Sequence, residues 1–270
     1  MPDIDKLLLL CGEPITVCEG ITLYQPTLRE IKDYGEGRFF STFWTFCSSP
    51  WDMPSTLDDM NINFMEITEW ELFRSIAIGL KVDQTRPIFG ELDFSKMKIM
   101  NRQRDEVNDI VLYDADSGLI IGEEEYKLFI AYVRDMIGFE HSGKKAGNEY
   151  TRRALIEDDR KTRRRNANKP YESALFNGII SMVNTEECKY DYKTIFDLTL
   201  YQYTKSYTQI QGKKSACALM QGSMSGFCDT SKIPKIDFQW TYSDKKYNTP
   251  RGQKLFKGDQ QAIKQAGAAK

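Results

Sequence analysis

Short hydrophobic runs separated by turn residues dominate the first part of the chain and predict β-structure. Ile15–Val17 and Ile21–Tyr24 are β-prone and are separated by a glycine-containing turn. Further on, Asp109–Tyr113 and Leu119–Ile121 flank a turn rich in Asp, Ser and Gly, which predicts a β-hairpin. Apolar and charged positions alternate through much of 87–121, so this whole stretch is predicted to form sheet.

Apolar residues at helical spacing predict helices in the same half. Thr27 and Glu30 have the spacing of a capping box, in which each side chain bonds the other residue's backbone N–H, and Thr68 and Glu71 repeat it. Glu123–Ile137 is apolar on one face and acidic at its N-terminal end, as the helix dipole favours. Between the capping boxes, aromatic residues at i, i+3 and i+4 spacings predict a buried helix face rather than an exposed binding patch. They are Phe39, Phe40, Phe43, Trp44 and Phe46.

The second half is predicted to be mainly helical. One helix is expected to begin at Pro170, since proline suits a first turn, and to continue through the apolar stripe Leu175–Val183. Two more are predicted at Thr199–Ile210 and 213–221, and alternation at 236–240 predicts a last short strand. The predicted fold class is α+β, with short strands, a β-hairpin and helices in the N-terminal half and mainly helices in the C-terminal half.

Charge is distributed unevenly along the chain. Residues 1–139 carry 13 basic and 25 acidic side chains, a net charge of −12, whereas 140–170 carry 10 and 5, and 244–270 carry 7 and 2. A protein with regions of both signs can pair with copies of itself or with partners of either sign. The predicted parts are an acidic α+β domain (1–139), a polar basic connector or exposed helix (140–169), a helical domain (170–242) and a flexible basic tail (243–270).

Composition favours a globular intracellular protein. Hydrophobic residues make up 41% of the chain and aromatic residues 12%, which is enough to build a core. No apolar run approaches the roughly 18 residues that a membrane span needs, and the acidic start is unlike a signal peptide. We therefore predict a cytosolic protein without membrane association. The cysteines lack CxxC spacing and are predicted to be buried free thiols; they are Cys11, Cys18, Cys47, Cys188, Cys217 and Cys228.

The sequence offers little support for catalysis. His141, the one histidine, lies in a loop rich in glycine and lysine, a poor setting for a general base. The glutamates within 66–71 fit a helix N-terminus better than a metal site, and Asp114 and Asp116 lack the further ligands of a calcium loop. Phosphate-binding glycine motifs and a nucleophile elbow are not present either. We predict no enzyme activity, no cofactor or metal, and no small-molecule substrate.

Basic residues are the candidate binding residues. Arg163, Arg164 and Arg165 form the sharpest basic run, and Lys254 and Lys257 lie in the basic tail. Such clusters can neutralise phosphates in nucleic acids. Acidic residues lie just upstream of the arginines, however, and the sequence pI is about 5.7, so a nucleic-acid partner is the less favoured interpretation. We predict that these five side chains contact partner proteins.

Several segments together resemble a group of phage proteins. They are Gln25–Ile31, Phe39-Phe40, Glu71–Phe73, Phe89–Phe94, Leu200–Tyr203 and Gly222–Gly226. The arrangement resembles proteins from the structural and tail-assembly gene clusters of tailed bacteriophages that infect Gram-positive bacteria, which include tail assembly chaperones and minor structural proteins. The resemblance implies no catalytic residues, because its segments fall at predicted core or turn positions.

The resemblance implies a role in phage morphogenesis. A tail assembly chaperone would bind the tape-measure protein or tail subunits, self-associate, and work in the host cytoplasm during assembly. Two alternatives stay open. The chain can be a structural component of the tail, baseplate or neck that remains in the virion, or a nucleic-acid-associated protein that uses the basic connector and tail. Replacing Arg163–Arg165 by alanine should disable the nucleic-acid role and leave the assembly role mostly intact.

Overall fold

The structure is a computed structural model that describes residues 4–104, 107–141, 143–144, 146–167, 169–185 and 190–224. The strands in this part of the chain are β1 (Ile15–Cys18), β2 (Ile21–Leu23), β3 (Lys98–Arg104), β4 (Val107–Tyr113) and β5 (Ile120–Ile121). The helices are α1 (Lys6–Cys11), α2 (Leu28–Tyr34), α3 (Glu36–Cys47), α4 (Pro54–Asp59), α5 (Glu69–Ala77), α6 (Val82–Phe89), α7 (Glu123–Ile137), α8 (Glu149–Ala167), α9 (Phe176–Val183) and α10 (Leu200–Met224). The predicted α+β class is confirmed.

The strands form two small antiparallel sheets. β1 and β2 make a hairpin in which Ile15 pairs with Leu23, and the second sheet has the order β3-β4-β5. In it, Leu112 and Tyr113 of β4 pair with the two residues of β5, which confirms the hairpin predicted around the Asp114–Gly118 turn. β3 lies at the sheet's edge, since no strand in the described residues pairs with its outer side.

Both predicted capping boxes are confirmed. At the start of α5, the Thr68 Oγ1 accepts a hydrogen bond from the Glu71 backbone N–H at 3.2 Å, and the Glu71 carboxylate accepts from the Thr68 N–H at 2.8 Å. The bond from the Thr68 backbone is the main cause that lowers the pKa of Glu71. Thr27 and Glu30 make the same pair of bonds at the start of α2. Local hydrogen bonds of this kind fix where a helix begins.

An aromatic cluster forms the centre of the core. The ring of Phe46 on α3 lies 5.0 Å from Phe73 of α5, 5.1 Å from Phe89 of α6 and 5.6 Å from Phe94, measured between ring centroids. Phe129 of α7 closes the cluster at 6.5 Å. Edge-to-face contacts of this kind add to the free energy gained by burial. The prediction of a buried aromatic face on α3 is confirmed for Phe39, Phe40, Phe43 and Phe46 but is wrong for Trp44, which is 49% exposed.

The sheet prediction is wrong for the start of the 87–121 stretch. Ile88 and Phe89 are the last residues of α6, and Phe94–Lys96 is a 3-10 turn. The helix ends at Gly90, whose φ of +60° suits glycine. A Cβ there would lie 2.6 Å from the ring of Tyr24, so the close approach also requires glycine. The apolar residues on either side of this turn point into one core, which produces alternation without a strand.

Two helix boundaries in the second half also differ from the prediction. Pro170 does not begin a helix, because Glu36 holds the segment before α9 by accepting from the Ser173 hydroxyl at 2.6 Å and from the Leu175 N–H at 3.2 Å. The Ser173 hydroxyl then accepts from the Phe176 N–H, where α9 begins. The predicted break at Gly212 does not occur either, since α10 continues through it. The strand predicted at 236–240 lies outside the described residues.

The chain divides into two units, residues 1–204 and 205–270. The first unit contains both sheets, the aromatic cluster and helices α1 to α9. α10 begins in the first unit, and its residues from Lys205 onward belong to the second. Among the described residues, no helix combines the length and the apolar character that crossing a bilayer requires.

Replacing Phe46 tests the role of the aromatic cluster. Phe46→Ala should lower the free energy of unfolding by about 3–5 kcal/mol, because it leaves a cavity between α3, α5, α6 and α7. Trp44→Ala on the same helix is the control, since Trp44 is 49% exposed and its loss should cost about 1 kcal/mol or less. Urea unfolding followed by circular dichroism measures both, and equal losses would contradict the central position of Phe46.

Candidate interaction surface on helix 8

α8 is a highly charged helix with a narrow apolar contact. Ile156 is its one fully buried residue in the described structure and packs with Leu57, Phe64 and Leu72. Partly buried side chains surround this small cluster. One isoleucine in 19 residues is less apolar surface than a globular helix usually buries. Polar contacts must therefore supply much of the specificity with which α8 docks.

Ion pairs with the end of α4 supply that specificity. The Arg160 guanidinium lies 2.6 Å from an oxygen of Asp59 and 3.0 Å from an oxygen of Asp58. Arg163 lies 3.2 Å from the other oxygen of Asp59 and also donates to the Ser55 hydroxyl at 3.0 Å. Two carboxylates at a helix C-terminus are unfavourable for that helix alone, because the dipole is negative there. The arginines of α8 offset both the carboxylates and the dipole.

A carboxylate on α8 completes the contact at the other end of α4. Asp159 accepts hydrogen bonds from the Ser55 hydroxyl at 2.6 Å and from the Ser55 backbone N–H at 3.0 Å. That N–H is one of those that the first turn of α4 leaves without a partner inside the helix. α8 thus places an acid at the N-terminal end of α4 and a base at its C-terminal end, the arrangement that the α4 dipole favours.

The ion pairs shift the ionisation of their members. The hydrogen bond from Arg160 is the main cause that lowers the pKa of Asp59, and hydrogen bonding to Asp59 raises the pKa of Arg160. A carboxylate with a lowered pKa contributes stability above its unfolded pKa and loses it as the pH falls through the folded value. The contact between α8 and α4 should therefore weaken in acid.

The predicted arginine run divides between two sides of α8. Arg163 faces α4, whereas Arg164 and Arg165 are exposed and make no hydrogen bond or ion pair with another described residue. Arg164 lies one turn after Arg160 and borders the same shallow cleft as Asp59, whereas Arg165 lies two turns after Asp158 on the outer side of the helix. Lys254 and Lys257, the other predicted binding residues, lie outside the described residues.

Most other charges on the outer side of α8 already have partners nearby. Lys161 lies 3.6 Å from Glu157, and Arg153 lies 3.1 Å from Glu149, each one helical turn away. Lys144 lies 2.8 Å from Asp158. Exposed pairs of this kind stabilise a helix by only a few tenths of a kcal/mol but neutralise its surface. The exposed Arg164–Arg165 pair is therefore a localised positive surface at the C-terminal end of α8.

The sequence analysis did not identify the partners of Arg160 and Arg163. Asp58, Asp59 and Ser55 lie about one hundred positions earlier in the chain. The sequence feature that could have indicated these partners is the Asp58-Asp59 pair, because no basic residue lies near it in the sequence. For residues 140–169 the sequence predicted either a connector or an exposed helix. In the structure, α8 occupies most of this segment, and one of its sides packs against α4.

The structure brings together two of the segments on which the phage resemblance rests. The Leu28 N–H donates to the Leu198 carbonyl at 2.9 Å, and the Leu200 N–H donates to the Pro26 carbonyl at 3.0 Å. Arg29 adds an ion pair with Asp197 at 2.7 Å. The start of α2 and the start of α10 are thus joined by backbone hydrogen bonds, so these segments have a structural role.

His141 has a defined position despite its loop. Its Nδ1 lies 2.7 Å from the Asp52 carboxylate, which also accepts from the Ser49 hydroxyl at 2.7 Å. The carboxylate lies between the hydroxyl and the imidazole, whereas a nucleophilic serine requires the imidazole between the other two. The arrangement ties the 139–141 segment to the turn that precedes α4.

The three glutamates near α5 have separate partners. Glu66 accepts from the Asn63 amide at 2.5 Å, Glu69 lies 3.0 Å from Arg134, and Glu71 caps α5 through Thr68. No group of three side chains able to hold a metal ion occurs among the described residues. Each glutamate thus has a structural contact that accounts for its position.

The cysteine prediction is correct only in part. Cys11, Cys18, Cys47 and Cys217 are free thiols. Only Cys47 of these is buried, and burial raises the pKa of its thiol. Cys11 and Cys217 are exposed, so the prediction that they are buried is wrong. Cys188 and Cys228 lie outside the described residues.

Comparison with known proteins supports a phage association. Residues 167–243 match the family model described as the YomV second domain, a phage-associated family. The match covers less than half of the chain and includes α9 and α10. No curated protein and no solved structure matches the chain. The chain is thus similar to a phage-related protein over its C-terminal part.

Replacing Ile156 tests how α8 is docked. Ile156→Ala should lower the free energy of unfolding by about 2–5 kcal/mol, because a buried side chain shared by α8, α4 and α5 is removed. Arg164→Ala, on the exposed side of the same helix, should leave stability nearly unchanged. Thermal unfolding and amide hydrogen exchange across α8 measure both variants. Equal behaviour of the two would contradict docking through Ile156.

Proposed function

We propose that this chain is a non-enzymatic phage morphogenesis protein, a tail assembly chaperone that acts by binding the tape-measure protein or tail subunits. Two lines of support lead to this proposal. The C-terminal part is similar to a phage-associated domain family. The described residues include an exposed charged surface at the end of α8, a kind of surface that suits protein binding, and the glutamates near α5 and the histidine have structural partners.

The observation that carries the proposal is the exposed arginine pair at the C-terminal end of a docked helix. Ile156, Arg160 and Arg163 fix α8, so Arg164 and Arg165 project from a supported element. Residues 1–139 have a net charge of −12. A positive surface favours an oppositely charged protein surface, on a partner or on the acidic 1–139 region of another copy.

The same geometry weakens the nucleic-acid alternative. Arg163 is committed to Asp59 and Ser55, so two arginines of the run rather than three are available to phosphates. Glu157 and Asp158 also lie on the outer side of the helix, and they pair with Lys161 and Lys144, so these lysines are engaged as well.

Removing the exposed arginine pair tests the surface. Arg164→Ala/Arg165→Ala should weaken association with the tape-measure protein or with another copy by roughly two- to thirty-fold, as expected for two exposed charge pairs. Lys161→Ala is the matched control, since Lys161 is already paired with Glu157 on the same helix. Light scattering coupled to size-exclusion chromatography at low and high salt measures self-association. Co-expression with the tape-measure protein of the same tail gene cluster, followed by co-purification, measures the partner complex.

The outcomes separate the alternatives. A monomer in every condition that also fails to co-purify with tape-measure or tail subunits would contradict the proposal. Binding to duplex DNA or RNA that falls steeply with salt and disappears in the double arginine variant would favour the nucleic-acid role. Presence of the chain in purified particles would instead favour a structural component of the virion.

A further inference from the structure

The negative charge of residues 1–139 is concentrated in one cleft of the first unit. The cleft has a volume of about 870 Å³ and is lined by the β1–β2 turn, the segment that follows α6, the β4–β5 turn and the start of α7. Its lining includes five acidic side chains and one basic side chain, Lys96, which gives a local net charge of −4. The five are Glu19, Glu91, Asp93, Asp114 and Glu125. We call this surface the acidic cleft.

The carboxylates of the acidic cleft are less neutralised than many others in the same region. Several acidic side chains outside the cleft form ion pairs with basic neighbours at 2.6–3.0 Å, namely Asp83 with Arg38, Asp109 with Arg102 and Glu123 with Lys127. In the cleft, Glu91 pairs with Arg86 at 3.0 Å. The other four acidic side chains of the lining make no ion pair with a described residue. Lys96 lies 4.0 Å from Asp116, which is not part of the lining.

Hydrogen bonds from neighbouring turns hold two of these carboxylates in place. Asp93 accepts from the Ser95 hydroxyl at 2.6 Å, and Asp114 accepts from the Ser117 hydroxyl at 2.5 Å. The bond from Ser117 is the main cause that lowers the pKa of Asp114, so this carboxylate stays ionised at neutral pH. The cleft therefore presents negative charge at fixed positions.

Apolar side chains beside the carboxylates favour a ligand that has alkyl groups as well as positive charge. Leu92, Leu119 and Ile120 line the cleft and are partly buried, and Tyr24 is 45% exposed. The shape of the cleft depends on Gly20, since a Cβ there would lie 2.8 Å from a methyl group of Leu119. Arginine combines an alkyl stem that packs on apolar surface with a guanidinium that pairs with carboxylates and stacks on aromatic rings. The lining thus suits arginine side chains.

The C-terminal end of α8 has the complementary charge. A shallow cleft of about 360 Å³ there is lined by three guanidinium groups and one carboxylate, a local net charge of +2. They belong to Arg160, Arg163, Arg164 and Asp59, and the exposed Arg165 follows directly in the sequence. The two clefts share no lining residue, although both belong to the first unit. Surfaces of opposite charge at separate places on one folded unit can pair between two copies.

We propose that the Arg164–Arg165 surface of one copy binds the acidic cleft of a second copy. The inference rests on the proposed use of this arginine pair in protein binding and names the surface that it meets. Charge complementarity identifies the occupant, because the cleft has a net charge of −4 and the end of α8 a net charge of +2. The two surfaces differ, so the contact is head-to-tail, and each bound pair retains one surface of each kind for a further copy.

Two complementary variants of the full chain test this contact. Arg164→Ala/Arg165→Ala removes the positive surface, and Glu19→Lys/Glu91→Lys reverses two exposed charges of the acidic cleft. Each variant alone should self-associate about tenfold or more weakly than the unaltered chain at low salt, because one of the two surfaces has lost its charge. An equimolar mixture should form 1:1 dimers that do not grow, since each variant retains the surface that the other has lost. Sedimentation velocity measures all three samples.

Glu13→Lys/Asp33→Lys is the matched control. Both residues are exposed, neither lines the acidic cleft, and the double change alters the net charge by the same amount. This variant should self-associate like the unaltered chain, and circular dichroism checks that every variant is folded. An unaltered chain that is monomeric at low salt, a cleft variant that behaves like the control, or a mixture that stays monomeric would each overturn the proposal.

The same samples separate this inference from the proposed function. If the arginine variant alone loses self-association, the acidic cleft is overturned as its partner surface, whereas the role of the arginine pair in binding stands. If self-association follows the pattern expected but the chain fails to co-purify with the tape-measure protein or tail subunits, the head-to-tail contact is supported and the assembly role is contradicted.

Discussion

The packing of Phe46 against four phenylalanines outside its own helix is the constraint on which the rest of the first unit depends. Its ring contacts residues of α5, α6 and α7 and of the turn after α6. Close-packed aromatic rings tolerate little displacement, so each of these elements must hold its position for the others to pack. The cluster thereby positions α5, which contributes Leu72 to the group of side chains that holds Ile156.

α8 is docked by a different balance of forces. It has too little apolar surface to be held by burial alone, and its position depends on Arg160, Arg163 and Asp159 meeting both ends of α4. Partly exposed ion pairs contribute modestly to stability, but they specify orientation because each requires its own partner. Ile156 anchors the helix, and the charged pairs set which side faces outward. This division explains how so polar a segment can present a defined surface.

Features that depend on residues close together in the sequence were predictable, whereas contacts between distant residues were not. The capping boxes at Thr68 and Thr27 and the hairpin around Gly118 rest on hydrogen bonds between residues a few positions apart, so the pattern alone identifies them. α6 was missed because Ile88 and Phe89 enter the core from a helix end beside Gly90, which mimics strand alternation. The candidate site follows the same rule. The arginine run is evident in the sequence, but the pairing of Arg163 with Asp59 joins residues about one hundred positions apart.

The pairing of Arg163 with Asp59 changes the functional interpretation of the arginine run. In the sequence, three consecutive arginines resemble a phosphate-binding cluster. In the fold, Arg163 neutralises an acidic helix end, and the neighbouring pair projects from a docked helix whose remaining outer charges are mostly paired. What remains for a partner is a small positive surface on a largely acidic body. A surface of that size suits recognition of a complementary protein patch, where a few well-placed charges set orientation, better than neutralisation of a long polyanion, where affinity grows with the number of phosphates contacted. The ion pairs that dock α8 therefore also reduce the number of arginines in the run that are open to a polyanion from three to two.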